Sequence, residues 1–217
     1  MEKLLETFEA LKQKNLSIDL TRGKPHSDQL DLSNDLMTQA VDAIGENGVD
    51  LRNYGEPIGI IEARKLGADI LDSKIDLTIA GEQSSYLLMT QLLLGRFLFG
   101  LDDDPWKNDK EPAFLCAVPG FDRHFATLEG LGLKMHTVNL CSSGIDLDDL
   151  NKKLSKHSNI KGLICVPRHS NPSGEVFSDE NITNLLKITK EYNPSFINLF
   201  DHAYLIHDFD ETQVQTP

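Results

Sequence analysis

Residues 161–209 read KGLICVPRHSNPSGEVFSDENITNLLKITKEYNPSFINLFDHAYLIHDF, and this stretch decides the fold. Gly162 to Val166 is a short apolar run that breaks at Pro167 into Arg168-His169-Ser170-Asn171-Pro172-Ser173-Gly174, the pattern of a buried strand ending in a turn. A second run, Phe196 to Phe200, stops at Asp201-His202-Ala203-Tyr204. Between the two, Ser178 is placed to cap a helix. Asp179 and Glu180 stand in its first turn, and Ile182, Leu185, Leu186 and Thr189 share one face. Strand, helix, strand at this length predicts a parallel crossover unit, and in such sheets ligands sit outside the carboxyl ends of the strands. Asn171, Asp201 and Tyr204 are therefore expected to converge on one edge.

Upstream the same alternation recurs. Leu77 to Ala80 reads as a short strand, after which Gly81-Glu82-Gln83-Ser84-Ser85 opens a long apolar helix, Tyr86 to Leu101, expected to be buried. A small-residue turn at a helix start exposes backbone N–H groups and the positive end of the helix dipole, which suits a phosphate; an ordinary cap by Ser84 accounts for the same residues. Glu82 fits a phosphate site only if its carboxylate points away. Ala113 to Val118 is a strand stopped by Pro119-Gly120, and Phe121 opens a helix to about Leu131. Lys134 to Leu140 is a further strand, and Leu147, Leu150 and Leu154 mark the next helix. The repeat predicts a three-layer α/β/α sandwich with a mostly parallel sheet. Ahead of it, residues 1–45 carry two helical patterns, Glu2 to Lys14 and Asp35 to Ile44, as an amino-terminal helical arm. Asp102 to Glu111 reads as an acidic surface loop.

The 217 residues suffice for one good core, and the ordinary apolar and charged fractions mark a globular chain. A formal net charge of −13 argues against a nucleic-acid surface, which needs clustered Lys and Arg. Cys116, Cys141 and Cys165 have neither disulfide nor metal spacing, and two lie within apolar strand runs, so reduced thiols and a cytoplasmic setting are expected. Met1 to Lys14 mixes charges with apolar residues at helical spacing and does not read as an export signal. The Tyr86 to Leu101 run, interrupted by Gln91 and Arg96, is too short to span a bilayer comfortably, so no membrane association is expected.

Asn171-Pro172-Ser173-Gly174 followed by Asp201-His202-Ala203-Tyr204 resembles the Asn-Pro-Thr-Gly and Asp-Asn-Ala-Tyr pair of class I aminotransferases, pyridoxal phosphate enzymes of fold type I. Thr21-Arg22-Gly23-Lys24-Pro25, Arg52-Asn53-Tyr54-Gly55 and Val118-Pro119-Gly120-Phe121-Asp122-Arg123-His124-Phe125 look most like the aspartate aminotransferase branch related to MocR-type effector domains. The resemblance runs in order from about Leu16 to Phe209. It implies pyridoxal 5'-phosphate as cofactor and an amino group passed from an aspartate-like amino acid to a 2-oxo acid. It implies that Gln83, Ser84 and Ser85 meet the phosphate, Phe121 stacks on the ring, Asp201 faces the ring nitrogen, and Asn171 and Tyr204 hold the ring's phenolic oxygen. Gly23, with Asn171, would border the substrate, and Tyr54 would reach the cofactor phosphate of the other subunit in a homodimer. Taken singly, each has a plainer reading: Gly23 in a solvated turn, Tyr54 and Tyr204 as packing, Phe121 as a core ring, Asn171 and Asp201 as turn residues.

By the same resemblance, residues 46–217 are an incomplete cofactor-binding large domain and residues 1–45 an arm with part of a small domain. The Schiff-base lysine of such enzymes follows the Asp-x-x-Tyr motif, and the matching segment would lie beyond Pro217, as would the arginine that grips the substrate carboxylate. No catalytic residue is therefore assigned within the chain, which is expected not to transaminate by itself. His202 stands where the motif usually has asparagine. Two other readings compete. A MocR-type ligand-sensing domain would use the same fold without catalysis, but needs a helix-turn-helix domain ahead of it, whereas Met1 opens directly on the arm helix. A nucleotide-binding α/β protein would need a glycine-rich phosphate loop, which the strand ends lack.

Overall fold

Along the central strands of this computed structural model, successive side chains are buried on opposite sides, which a sheet allows only when both its faces are covered. The structure describes residues 2–19, 21, 23–101 and 103–208. Arg22 of the Thr21-Arg22-Gly23 motif, Asp102 at the start of the acidic loop, Phe209 at the end of the deciding stretch and the residues after it lie outside them. The chain divides into two units, Met1–Ile44 and Gly45–Pro217.

The larger unit holds five strands in the order β3-β2-β1-β4-β5: β1 Ala113–Val118, β2 Lys134–Cys141, β3 Gly144–Ile145, β4 Ile160–Cys165 and β5 Ile197–Phe200. β1 pairs in parallel with β2 and β4, β4 pairs in parallel with β5, and only the two-residue β3 runs antiparallel. On one face Phe114, Cys116, Ile164 and Leu199 pack with Leu93, Leu128 and Trp106. On the other, Leu115, Ala117, Leu163 and Cys165 pack with Leu150, Leu154, Ile182 and Leu185. Leu93 belongs to α4, Ser85–Phe99, and Leu128 to α5, Asp122–Gly130. The opposite layer is α6, Leu147–Lys156, and α7, Asp179–Tyr192. This is the expected three-layer α/β/α sandwich with a mostly parallel sheet.

Local chemistry sets the boundaries. Ser178 caps α7, its hydroxyl accepting from Asn181 N–H at 3.1 Å. Asp146 caps α6 by accepting from Asp148 and Asp149 N–H. Asn181, buried on α7, donates to Ile145 O at 2.8 Å and accepts from Ile145 N–H at 2.9 Å, which fixes β3 against the helix.

Three expectations about the larger unit are corrected. Leu77 to Ala80 is no strand: Ile75–Leu77 is a single 3-10 turn, and the residues after it run extended without a sheet partner. Arg64, on α3 (Ile61–Ile70), takes the carbonyls of Thr78 at 2.9 Å and Ile75 at 2.7 Å, while Ala80 N–H binds Ile58 O. The α4 helix is only one-sided in its burial. Leu93 and Arg96 are buried, but Leu87, Leu92, Leu94 and Phe99 are exposed, because the sheet covers one stripe of it. Trp106 in the acidic loop is buried rather than superficial, its ring 5.8 Å from that of Phe114 and beneath the Arg96 guanidinium.

In the amino-terminal unit, α1 spans Glu2–Gln13 as expected, with Leu4, Leu5, Phe8 and Leu11 exposed along its stripe. The short α2 is Ser27–Asp31. The helix expected over Asp35 to Ile44 is a 3-10 turn, Asn34–Thr38, and no more. Leu36, Met37 and Val41 are all exposed, so the segment lacks the packed apolar face that sustains a short helix.

Candidate functional site

The strand order reverses direction across β1 and β4: the chain leaves β1 for β2 on one side and β4 for β5 on the other. A crevice opens at the carboxyl ends of such a pair, which is where open α/β sheets hold ligands. Here it is a cleft of about 300 Å³ lined by Gln83, Ser84, Ser85, Tyr86, Phe121, Val166, Asn171, Asp201, Ala203 and Tyr204. Seven of the residues singled out in the sequence thus share one cavity wall.

Each reaches the cleft for a local reason. Asp201 is the residue after β5, and its N–H is held by Cys165 O at 2.9 Å, so the parallel pairing with β4 continues one step past the strand. Its carboxylate is buried, 6% exposed. Oδ1 accepts from Ala203 N–H at 3.1 Å, and Oδ2 lies 2.9 Å from Nε2 of His124, itself 3% exposed. An ionised carboxylate only accepts, so with Asp201 as acceptor this contact requires the His124 tautomer that donates from Nε2. Phe121, the N-cap residue of α5, sets its ring edge-on to His124 with centroids 5.1 Å apart. His124 thus links Phe121 and Asp201, both of which line the cleft.

Also in the lining, Asn171 Nδ2 donates to Tyr204 Oη at 3.4 Å. Asn171 follows the end of β4 and Tyr204 the end of β5, so this contact joins the two loops. The start of α4 lines the cleft as well. Ser84 caps it, accepting from Leu87 N–H at 3.4 Å, and Ser85 and Gln83 flank the cap. Glu82 is exposed and does not line the cleft.

Two expected residues are not among those that line the cleft. Tyr54 is 96% exposed and borders a separate small hollow with Asn47, Asp50 and Glu56. Gly23 belongs to the amino-terminal unit, exposed, with open space where a Cβ would stand.

The structure adds two residues. His124 was visible in the sequence only as part of a motif, although its spacing of three from Phe121 on a helix start puts both on one face. Tyr86, on the first turn of α4, lines the cleft and accepts a hydrogen bond from Thr127 Oγ1 at 2.7 Å, which ties α4 to α5. Beside the cleft His202 is partly buried, its Nδ1 shut off from solvent without a hydrogen-bond partner. Burial pushes its pKa down; Asp201 opposes that shift and Arg168 adds to it, and the balance falls below the ordinary imidazole value.

A pyridoxal phosphate molecule matches this donor set. The cleft offers a buried carboxylate for a cationic ring nitrogen, an aromatic face, an amide and phenol pair for a phenolic oxygen, and hydroxyls at a fifteen-residue helix start for a phosphate. Among the residues that line it there is no lysine.

Comparison with known proteins agrees with that chemistry. The aspartate aminotransferase of Corynebacterium glutamicum is 36% identical over 212 residues, covering 95% of this chain and 48% of that protein. The crystal structure of an aspartate transaminase from the same species superposes with a TM-score of 0.84 at 34% identity, over 93% of this chain and 48% of the other. An archaeal alanine:glyoxylate aminotransferase shares the fold at 20% identity, with a TM-score of 0.62 over 94% of this chain and 49% of its own. The chain thus spans about half the length of the relatives it matches. The sequence profile described as aspartate amino-transferase covers residues 1–215, from the arm helix past the Asp201 turn, and by this match the chain belongs to the aspartate amino-transferase family.

Proposed function

We propose that the cleft is the pyridoxal phosphate site of an aminotransferase that moves an amino group from an aspartate-like amino acid to a 2-oxo acid. The observation that carries this reading is the pairing of a buried, histidine-backed carboxylate, Asp201, with the Asn171–Tyr204 contact in one cavity at the start of α4.

In this reading Asp201 holds a proton on the ring nitrogen, and His124 keeps the carboxylate oriented. Asn171 and Tyr204 donate to the phenolic oxygen and fix the ring's rotation. Phe121 covers one ring face and excludes water from it. Ser84, Ser85 and Gln83 grip the phosphate with hydroxyls, an amide and the N–H groups of the first α4 turn. Bound pyridoxal phosphate supplies an electron sink for the charge released at a substrate Cα. Gly23 is assigned to the substrate's border. Tyr54, 96% exposed and not among the residues that line this cleft, is assigned to the cofactor phosphate of a second copy in a homodimer.

Titrating the purified chain with pyridoxal phosphate, followed by absorbance and tyrosine quenching, tests the reading. Saturable binding is expected, and Asp201→Asn should weaken it by about tenfold or more, the scale of a lost charged hydrogen bond. Absence of saturable uptake by the unsubstituted chain, or equal affinity in the variant, would count against it.

A further inference from the structure

We propose that Asp208 is a positioning residue: one carboxylate clamps the loop that carries Asn171 to the turn that carries Tyr204. This deepens the cofactor reading above and rests on it for its consequence, though not for the clamp itself.

The two groups that meet at 3.4 Å in the cleft come from separate loops, and their own contact is long. Something else must hold the loops in register. Asp208, seven residues beyond Asp201, reaches back to the start of the other loop. Its Oδ2 accepts from Arg168 Nη2, and its Oδ1 stands 2.7 Å from His169 Nε2. Both oxygens of one carboxylate are thus engaged by consecutive residues just upstream of Asn171, a two-point attachment that limits rotation as well as distance.

The strain in that loop fits the same account. His169 has φ +49, a left-handed conformation that a residue with a Cβ keeps only where its surroundings hold it. Arg168 is 3% exposed, so its charge has little water to rely on. Burial by itself would raise the Asp208 pKa, but the hydrogen bonds from His169 and Arg168 outweigh it and keep the carboxyl below its usual range. The clamp is ionised at neutral pH. At the other end of the turn Asp201 is anchored to Cys165 and His124, so Tyr204 hangs between two fixed carboxylates.

The test compares the full chain with Asp208→Asn and Asp208→Glu. In ligand-free protein, hydrogen–deuterium exchange over residues 167–176 and 201–208 should rise together by about tenfold in Asp208→Asn, the cost of one charge-assisted bond. Exchange in β1 should rise less than over these two segments, and Asp208→Glu should recover most of the protection. Pyridoxal phosphate affinity should fall in Asp208→Asn and recover in Asp208→Glu. Unchanged exchange in Asp208→Asn overturns the clamp. Raised exchange with unaltered affinity overturns its role in positioning. If the unsubstituted chain takes up no pyridoxal phosphate, the cofactor reading falls and the positioning role with it, while exchange still decides the clamp. Should Asp208→Asn unfold the chain, His169→Gln, which removes one of the two attachments, is held to the same outcomes.

Discussion

His202 is the residue at which this chain leaves the usual motif, and its surroundings give that departure a measurable consequence. Burial lowers its folded pKa more than Asp201 raises it, with Arg168 adding to the fall. The unfolded chain, with an imidazole pKa of about 6.5, binds a proton that the folded chain refuses. Its contribution to stability is therefore fully present above that pH and lost as pH falls toward the folded value. Urea midpoints measured from about pH 8 down to about pH 5 should fall more steeply for the natural chain than for His202→Asn. Equal slopes would mean that His202 titrates alike in both states. Its neighbour Asp201 was legible as a strand-end carboxylate because strand ends are marked by where apolar runs stop. The partner that backs it was not. His124 is 77 residues away and on a helix, and no local pattern reports a contact made only when two separate crossovers fold onto one sheet.

At the level of elements, legibility followed packing. The inner strands β1 and β4 were readable because they are buried on both faces and show as apolar runs with sharp stops; β2, mostly exposed, and β5 were read as well, but the two-residue β3 left no such signal. Where burial was absent, the periodic signal misled. The Asp35 to Ile44 stripe and the Leu77 to Ala80 run have the right residues, but the first is left exposed and the second gives the Thr78 carbonyl to Arg64 and the Ala80 N–H to Ile58. Gly162 shows how tight the successful part is. It lies in β4 between β1 and β5, and a Cβ there would meet Phe114 Cζ at 2.4 Å and Ile197 O at 2.5 Å. Neither can yield easily, since Phe114 is fully buried against Trp106 and the carbonyl belongs to the neighbouring strand. Gly162→Ala should thus destabilise by about 1–3 kcal/mol, despite the better intrinsic strand entropy of alanine. Chemical denaturation at fixed temperature reads this directly, and a neutral or stabilised variant would show that β4 and β5 can part without cost.

For the molecule as a whole, the three thiols report whether the two layers around the sheet open together. Cys116 and Cys165 sit on adjacent central strands but face opposite layers, one toward α4 and α5, the other toward α6 and α7. Burial pushes the Cys116 thiol up to about 12 and the Cys165 thiol higher still, with Asp201 adding to the latter. Neither has thiolate to offer a reagent while the sheet is closed. Cys141, at the end of β2, is exposed. A thiol reagent at neutral pH should therefore label one cysteine per native chain and three per denatured chain. Because both buried thiols depend on one sheet, raising urea should expose them at the same midpoint, as a single cooperative core requires. Mass spectrometry of pulse-labelled peptides separates the two sites. Labelling of Cys165 at distinctly lower urea than Cys116 would mean that the layer of α6 and α7, with the β5 edge that carries Asp201 and Tyr204, comes away first. The cleft would then be lost before the fold.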